Sequence, residues 1–550
     1  MCHCIIMINY FIIKNMKTAY YNGVIYTGIG FAEAFIVEDG VFICAGDNET
    51  IRKQIEKDDN SVDLQGHFVC AGFNDSHMHL LGYGSYLQRA RLDEHTSSLK
   101  DMLEYVRKFR KDNDVSWLQG RGWNQDYFTD VKRMPTRWDI DEVVNDIPVI
   151  LTRTCGHCLV VNSKTLEELR ITDDVASVEG GSVGRDENGK LNGLFFDNAM
   201  NLIYDHIPVP DSRTIRKMIL AAAEKLNSYG ITSVQTDDYC YSRKVPYKAI
   251  NDAYVQLAQE GKLTVRVNEQ CNFTQLSQLR EFIEDSNTTG KGTDMFMTGP
   301  LKLLGDGSLG GRTAWLSVPY DDDPSTCGFP LFTQQQMDEL IECANDHDMQ
   351  VAVHAIGDRC LDQVLDAIEK AFVKRPRDDH RHGIVHCQIS REDQLERIRR
   401  LKLHVYAQSV FLDYDNHIVT PRVGENMAST SYSWKTLMDK GVTVSNGSDA
   451  PVEHPDVMKG IECAVTRTSQ DGFGPYLPEQ AFSVREAINS FTVNGAYRSF
   501  EENIKGKIEK GYLADFVILG SNPFETDKSE LHSIKIEAVY LGGKCVYGGI

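Results

Sequence analysis

No stretch of this sequence approaches the ~20 consecutive apolar residues that a bilayer-spanning helix requires, which argues against an integral helical membrane protein. The nearest candidate is residues 1–14, from Met1-Cys-His-Cys-Ile-Ile to Lys14, which are apolar but short. They have neither the basic leading region nor the Ala-x-Ala cleavage site of a secretory signal. We read residues 1–15 as a dispensable extension ahead of a start at Met16. Positive charge is also in short supply, with 58 Lys and Arg against 79 Asp and Glu and a net charge of −21. Nucleic acid and anionic membrane surfaces need clustered Lys and Arg, so neither is expected as a partner. Runs of like charge, low-complexity tracts and internal repeats are missing as well. Cysteine is not scarce, with fourteen residues, but a framework spacing is absent. The thiols are therefore expected to be reduced and the protein cytoplasmic. Cys155-Gly-His-Cys158 has the spacing of a thiol oxidoreductase motif but lies between strand-like segments. It lacks the helix N-terminus that would acidify its first thiol.

What is present is a chain of 550 residues, long enough for two or three domains. Residues 16–70 are short β-rich runs ("TAYYNGVIYTG", "EAFIVEDGVFICAG"), with Asp39-Gly40 and Gly46-Asp47 as hairpin turn pairs. Residues 505–550 have the same character, so the two ends are expected to build one small β-sandwich domain. Between them, residues 71–504 alternate buried-looking strands with amphipathic helices. The strands include "ITSVQT", "LTVRVNEQ", "GPLKLLGDGS", "MQVAVHAIGD", "HGIVHCQ", "LHVYAQS" and "VTVSNGSDAP". Repeated strand–helix units point to a parallel α/β sheet, and eight of them would close a TIM-like barrel with its reactive groups at the strand C-termini. The Trp- and Gly-rich stretch of about 100–210 breaks this pattern and reads as an inserted subdomain.

The residues with metal-binding chemistry sit at those strand ends. His77 and His79 flank one residue in "AGFNDSHMHL", and strand alternation sends both imidazoles to one side. His354 closes "MQVAVHAIGD", His386 closes "HGIVHCQ", and Asp449 closes "VTVSNGSDAP". Four histidines and an aspartate at equivalent positions suit zinc or a similar divalent ion. Lys302 lies in an apolar strand, where an ammonium is costly to bury. It either pairs with Asp306 or, when neutral and near a metal, takes up carbon dioxide as a carbamate.

Taken together, "AGFNDSHMHL", "GRGWNQDYF", "CGHCLVVNS", "GLFFDNAM", "GITSV", "LKLLGDGSLGGRTA", "VAVHAIGD", "IVHCQ", "SNGSDAPVEHPDV" and "KGYLADFVILGSNPF" resemble the amidohydrolase superfamily. The specific likeness is to its YtcJ-like branch, amidohydrolase family 3, which includes N-substituted formamide deformylases. It extends over about residues 20–525. The resemblance implies a distorted (β/α)8 barrel, a β-sandwich made from both termini and a site for one or two metals. It assigns His77 and His79 to the first strand, His354 and His386 to the fifth and sixth, and Asp449 to the last. Lys302 falls at the fourth-strand position, where relatives often carry a carboxylated lysine. His157 and Asn162 match the branch pattern, and His157 either faces the substrate or serves a structural role. Two departures are Asp197, where the branch has a Glu, and Gln235-Thr236-Asp237, in place of a His/Gln-Asp ending.

The expected reaction is hydrolysis of a non-peptide carbon–nitrogen bond. A divalent metal, zinc by donor type, lowers the pKa of bound water to about 7, and Asp449 moves the proton to the leaving nitrogen. Trp123 and Arg312 are candidate substrate-binding residues, with Trp315 nearby. Formamides, N-acyl amines and cyclic amides stay open as small-molecule substrates. The same barrel also supports hydrolysis or deamination of esters, lactones and amidines, or a non-catalytic metal-binding role. Acidic barrel enzymes of this size are often homo-oligomers, although no seam is visible in the residues.

Overall fold

A computed structural model describes residues 16–154, 158–176, 178, 181–242 and 244–549. The expected extension 1–15, His157 and Cys155 fall outside these residues. The chain divides into two compact units, one running to Gly82 and resuming at Ile219, the other spanning Tyr83–Met218. Among the described residues no helix is long and apolar enough to cross a membrane.

The first unit holds an eight-stranded parallel sheet: β1 Phe73–Met78, β2 Ile231–Thr236, β3 Arg266–Asn272, β4 Phe296–Leu304, β5 Val351–Ala355, β6 Gly383–His386, β7 His404–Ala407 and β8 Val444–Asn446. The strands lie side by side in chain order. β1 and β8 meet past their ends, where Asp449 N–H donates to His77 O and His79 N–H to Ala450 O, both at 2.8 Å. The Ser76 hydroxyl donates to Asn446 O at 2.7 Å. The apolar runs read as strands become strands because helices cover their outer faces. Among these are Gln334–Asp346, whose Thr333 and Gln336 form a capping box, and Asp358–Lys374. This is the (β/α)8 arrangement expected from the sequence.

The N-terminal segment builds one further sheet, and both chain ends together build a second. One orders Val41–Gly46, Ala34–Glu38, Thr18–Tyr21 and Asn60–Asp63. The other joins Lys544–Gly548, Ile536–Leu541, Phe516–Leu519, Phe68–Ala71, Val24–Tyr26 and Phe31–Ala32. Tyr20 stacks on Phe35 at 4.7 Å and Phe516 on Tyr540 at 4.4 Å between centroids, pairs worth about 0.5–1.5 kcal/mol beyond their burial. Asp39 and Gly40 both take positive φ, the conformation a two-residue hairpin turn requires. Gly46-Asp47 does not make such a turn. Asp47 instead caps the helix Asn48–Arg52, accepting from Thr50 N–H at 2.8 Å, because its carboxylate satisfies an otherwise orphaned helix donor.

Arg266, at the start of β3, ties the barrel to this β-domain. Its Nε and Nη2 donate to Asp515 at 2.6 and 3.0 Å, and both side chains are buried. Asp294, 2.7 Å from Nη1, still faces the guanidinium when Asp515 is removed, so Asp515→Ala leaves Nε and Nη2 unmet and should lower unfolding stability by about 1–3 kcal/mol. Chemical denaturation of the variant checks this. A loss within error of zero would mean that the pair is dispensable.

The second unit is a mixed sheet in the order Gly181–Arg185, Leu191–Asp197, Cys158–Val161, Val149–Arg153, Leu118–Trp123, Ala90–Arg91. Helix Leu99–Asp112 packs on it, capped by Ser98, which accepts from Asp101 N–H at 3.0 Å. The unit starts well before the Trp-rich stretch because residues 83–99 carry ordinary helix and strand patterns.

Candidate metal centre

The strand C-termini converge on one cluster. His77, His386 and Asp449 each offer a ligand atom, all within 4.8 Å of one another. Asp449 Oδ1 lies 3.4 Å from His77 Nε2 and 3.1 Å from His79 Nε2. The His354 ring sits 4.4 Å from that of His386, centroid to centroid. Two of these residues leave regular strand geometry to get there. His386 has φ of +76° and Asp449 of +58°, left-handed values that cost a non-glycine residue energy and that collect at functional sites.

Each imidazole is oriented from behind. His77 Nδ1–H donates to Gln270 Oε1 at 2.7 Å, and Gln270 Nε2 in turn donates to Ser76 O at 3.1 Å. His386 Nδ1–H donates to Gln408 Oε1 at 2.8 Å. His79 Nδ1–H donates to Asp237 O at 2.8 Å. These partners accept, so the Nδ1 atoms carry protons and the three Nε2 atoms face the cluster. His354 is reversed: its Nε2–H donates to Gly307 O at 3.0 Å and lies 3.2 Å from Asp306 Oδ1, which leaves Nδ1 for a metal. Gln270→Leu should weaken metal affinity about 10–100-fold by freeing the His77 ring. Competition with a chelator reads this directly, and an unchanged affinity would dismiss the orienting role.

The electrostatics suit a cation. Burial, then Lys302, pushes His77 well down, and burial, then His354, does the same to His386, so both rings are neutral and ready to ligate. Burial alone would raise Asp449, but His79 and His77 hold it well below the usual carboxylate range. Burial alone would lower His79, but Cys240 and Asp449 beside it raise it well above the ordinary histidine value. Asp449 Oδ1 and Asp237 Oδ1 are buried without a well-aligned hydrogen bond. Buried carboxylate oxygens of this kind are costly unless a cation takes them, so the residues present fit a divalent metal.

A second group, His79, Asp237 and Cys240, adjoins the first, with Cys240 Sγ 3.3 Å from His79 Nδ1. Lys302 is 1% exposed. Its closest carboxylate is not Asp306, as one sequence reading had it, but Asp237, with Nζ 3.9 Å from Oδ2. Asp306 is occupied otherwise, accepting from the backbone N–H groups of Trp315, Ile356 and Gly357.

Of the substrate-binding candidates, Trp123 is fully buried in the core of the second unit, its indole N–H donating to Leu151 O at 2.8 Å. Arg312 engages Asp322 through two bonds of 3.0 Å. Asn162 caps helix Ser163–Glu168. Asp197 ends its strand with φ of +48°. A cleft of about 780 Å³ is lined by Tyr239, Cys240, Asn272, Phe273, Leu304 and Phe332, among others, and Cys240 links it to His79. The sequence analysis did not single out Gln270, Gln408 or Cys240. Gln270 lies inside β3 and Gln408 just past β7, and which ring each faces is set by the neighbouring strands rather than by its own.

An eight-stranded parallel barrel whose mouth gathers four histidines and an aspartate, with buried carboxylate oxygens that lack a well-aligned hydrogen bond, defines the class of metal-dependent barrel hydrolases. The chain belongs to the amidohydrolase family, enzymes that hydrolyse carbon–nitrogen bonds, and the family's model matches residues 60–547. YtcJ of Bacillus subtilis (strain 168), described by its name as an amidohydrolase, is 34% identical over 544 residues, covering 97% of this chain and 99% of the relative. An N-substituted formamide deformylase of Arthrobacter pascens is 23% identical over 533 residues, covering 94% and 95%. Among solved structures, an uncharacterized metal-dependent hydrolase of Pyrococcus furiosus superposes with a TM-score of 0.78 at 31% identity, covering 92% of this chain and 100% of that one.

Proposed function

We propose that the protein hydrolyses a small N-substituted amide, an N-formyl or N-acyl amine, in the cytoplasm, with zinc as its metal. The observation that carries this reading is the aromatic cleft reaching the metal cluster through Cys240 and His79. Tyr239, Tyr247 and Phe273 lie 5.4–5.6 Å apart between centroids and form an apolar wall for the substituent on nitrogen. His77, His79, His354, His386 and Asp449 would hold one or two ions, and Lys302, buried beside them, is the residue we assign to carboxylation. A divalent cation there supplies Lewis acidity, polarising the carbonyl and making water easier to deprotonate. Asp449 accepts the proton of the attacking water at its carboxylate and returns it to the departing nitrogen. Asn272, whose Nδ2 donates to Asp237 Oδ2 at 3.0 Å, fixes the rim between cleft and cluster.

The test is elemental analysis of protein purified without added metal, followed by a panel of N-formyl amines, N-acyl amines, esters and amidines. Release of free amine with formate or another carboxylate supports the reading. Release of ammonia from amidines, with no amine from any amide, would overturn it in favour of deamination.

A further inference from the structure

The opposite end of the barrel holds a charge that the chemistry at the mouth does not use. Arg498 closes the helix Val493–Arg498 and is 0% exposed. Its Nε and Nη2 make no hydrogen bond. Among the described residues, the guanidinium of Arg381, of like sign, acts on it. Other buried arginines in the same unit are provided for. Arg266 is paired with Asp515 and Arg381 with Asp379 and Glu502; Arg467 has an unpartnered Nη2 but donates from its other nitrogens to the carbonyls of Tyr476 and Tyr432, whereas no side-chain hydrogen bond from Arg498 is found among the described residues.

The surroundings of Arg498 are short of partners in the same way. Its Cζ lies 4.6 Å from the Tyr406 ring, and the Tyr406 hydroxyl is buried without a hydrogen bond. His404, whose ring is 5.1 Å from that of Tyr406, has an unpartnered Nδ1. Its Nε2 is 2.8 Å from the Ser445 hydroxyl, so Ser445 can donate to Nε2 and leave Nδ1–H as a second donor. Gln350 Nε2 donates to Arg498 O at 3.2 Å and to Arg381 O at 3.3 Å, while its Oε1 is unpartnered. Gln350 and His404 sit at the amino-terminal ends of β5 and β7, and Tyr406 packs with Ala352 and Val385 as an apolar layer above them. The ring fits there because residue 383 is glycine: a Cβ would lie 2.6 Å from Tyr406 Cε2.

Burial, with Arg381 adding to it, brings the guanidinium down to about 9, so it is still charged at neutral pH. A buried unpaired cation costs several kcal/mol, and water can satisfy its N–H groups but not its charge. Cation–π contact with Tyr406 recovers only part of that cost. The unused groups on Arg498, Tyr406 and His404 can all donate, as an anion requires. A polyanion would bring more charge than one guanidinium offsets, and the Gln350 oxygen would repel it.

We propose that Arg498, Tyr406 and His404 bind a small monovalent anion of halide type at the amino-terminal end of the barrel, as a structural counter-ion. The proposal does not depend on the substrate assigned above. The full-length protein should melt higher in sodium chloride or bromide than in sodium gluconate at equal ionic strength. The shift should saturate with halide concentration. Crystals soaked in bromide should show anomalous density beside the Arg498 guanidinium. Arg498→Met should abolish the halide-dependent shift, whereas Arg498→Lys should keep part of it. Equal melting in halide and gluconate, with only water beside Arg498 in the bromide crystals, would overturn the proposal. So would a halide shift that survives in Arg498→Met. If that variant fails to fold, the melting and bromide results on the unaltered protein still decide.

Discussion

Alanine at position 77 should yield a folded protein that purifies with less than about a tenth of the normal divalent metal. A Lewis acid contributes several kcal/mol of transition-state stabilisation, and about 4 kcal/mol is a thousandfold in rate, so kcat/KM should fall at least about 10³-fold. The reasoning rests on position. His77 is the imidazole whose Nε2 is buried between Asp449 and His386, with its Nδ1 fixed by Gln270. Removing the ring deletes one of three groups whose donor atoms lie within 4.8 Å and leaves Gln270 Oε1 without its donor. The unmet acceptor costs about 1–3 kcal/mol of stability, which a chain of this size should survive. Elemental analysis and thermal melting of the same preparation separate the two effects. A variant that keeps its full metal and turnover would remove His77 from the centre. A variant that loses both metal and fold would move the question to His79→Ala, whose side chain is 24% exposed and less built into the core.

Much of this was legible in the sequence, for a physical reason. Strands buried on both faces appear as apolar runs, and the polar residue that ends each run marks the barrel mouth. "ITSVQT" is β2, residue for residue, and His77, His79, His354 and His386 meet where their strand ends placed them. The partners behind these rings were not legible, because periodicity along one strand does not say what lies opposite on the next. Gln270 reaches a histidine 193 residues away, and Gln408 one 22 away. The same limit explains Lys302, where the acid nearby in sequence, Asp306, is drawn off by three backbone N–H groups and the acid nearby in space is Asp237. Asp47 was misread because aspartate serves both turns and helix caps, and only the following residues' packing chooses between them. Arg498 gave no signal at all. In "GAYRSF" it reads as an ordinary solvated helix end, but its helix packs against β1 and β8 and its guanidinium lies on the Tyr406 ring, contacts distant in sequence.

Asp449→Asn separates metal binding from proton transfer. Asparagine keeps the size of the side chain and is, with aspartate, among the few residues that tolerate the left-handed backbone found here, φ of +58°. The platform beneath is also independent of the charge: Ser448 donates its N–H and hydroxyl to Asp75, and Asp449 N–H donates to His77 O. The backbone should therefore hold its place. Four imidazoles remain for the metal, so most of it should be retained, unlike in His77→Ala. The amide cannot accept a proton from water or deliver one to the leaving nitrogen, and loss of a general base costs about 10²–10⁴-fold in kcat. The expected signature is metal content near that of the unaltered protein, KM little changed and kcat down by that factor. Full turnover with metal bound would mean that another group moves the proton, and the buried Asp237 would then be the carboxylate to replace next. Loss of metal together with rate would instead make Asp449 chiefly a ligand, and the rate loss would then carry no information about proton transfer.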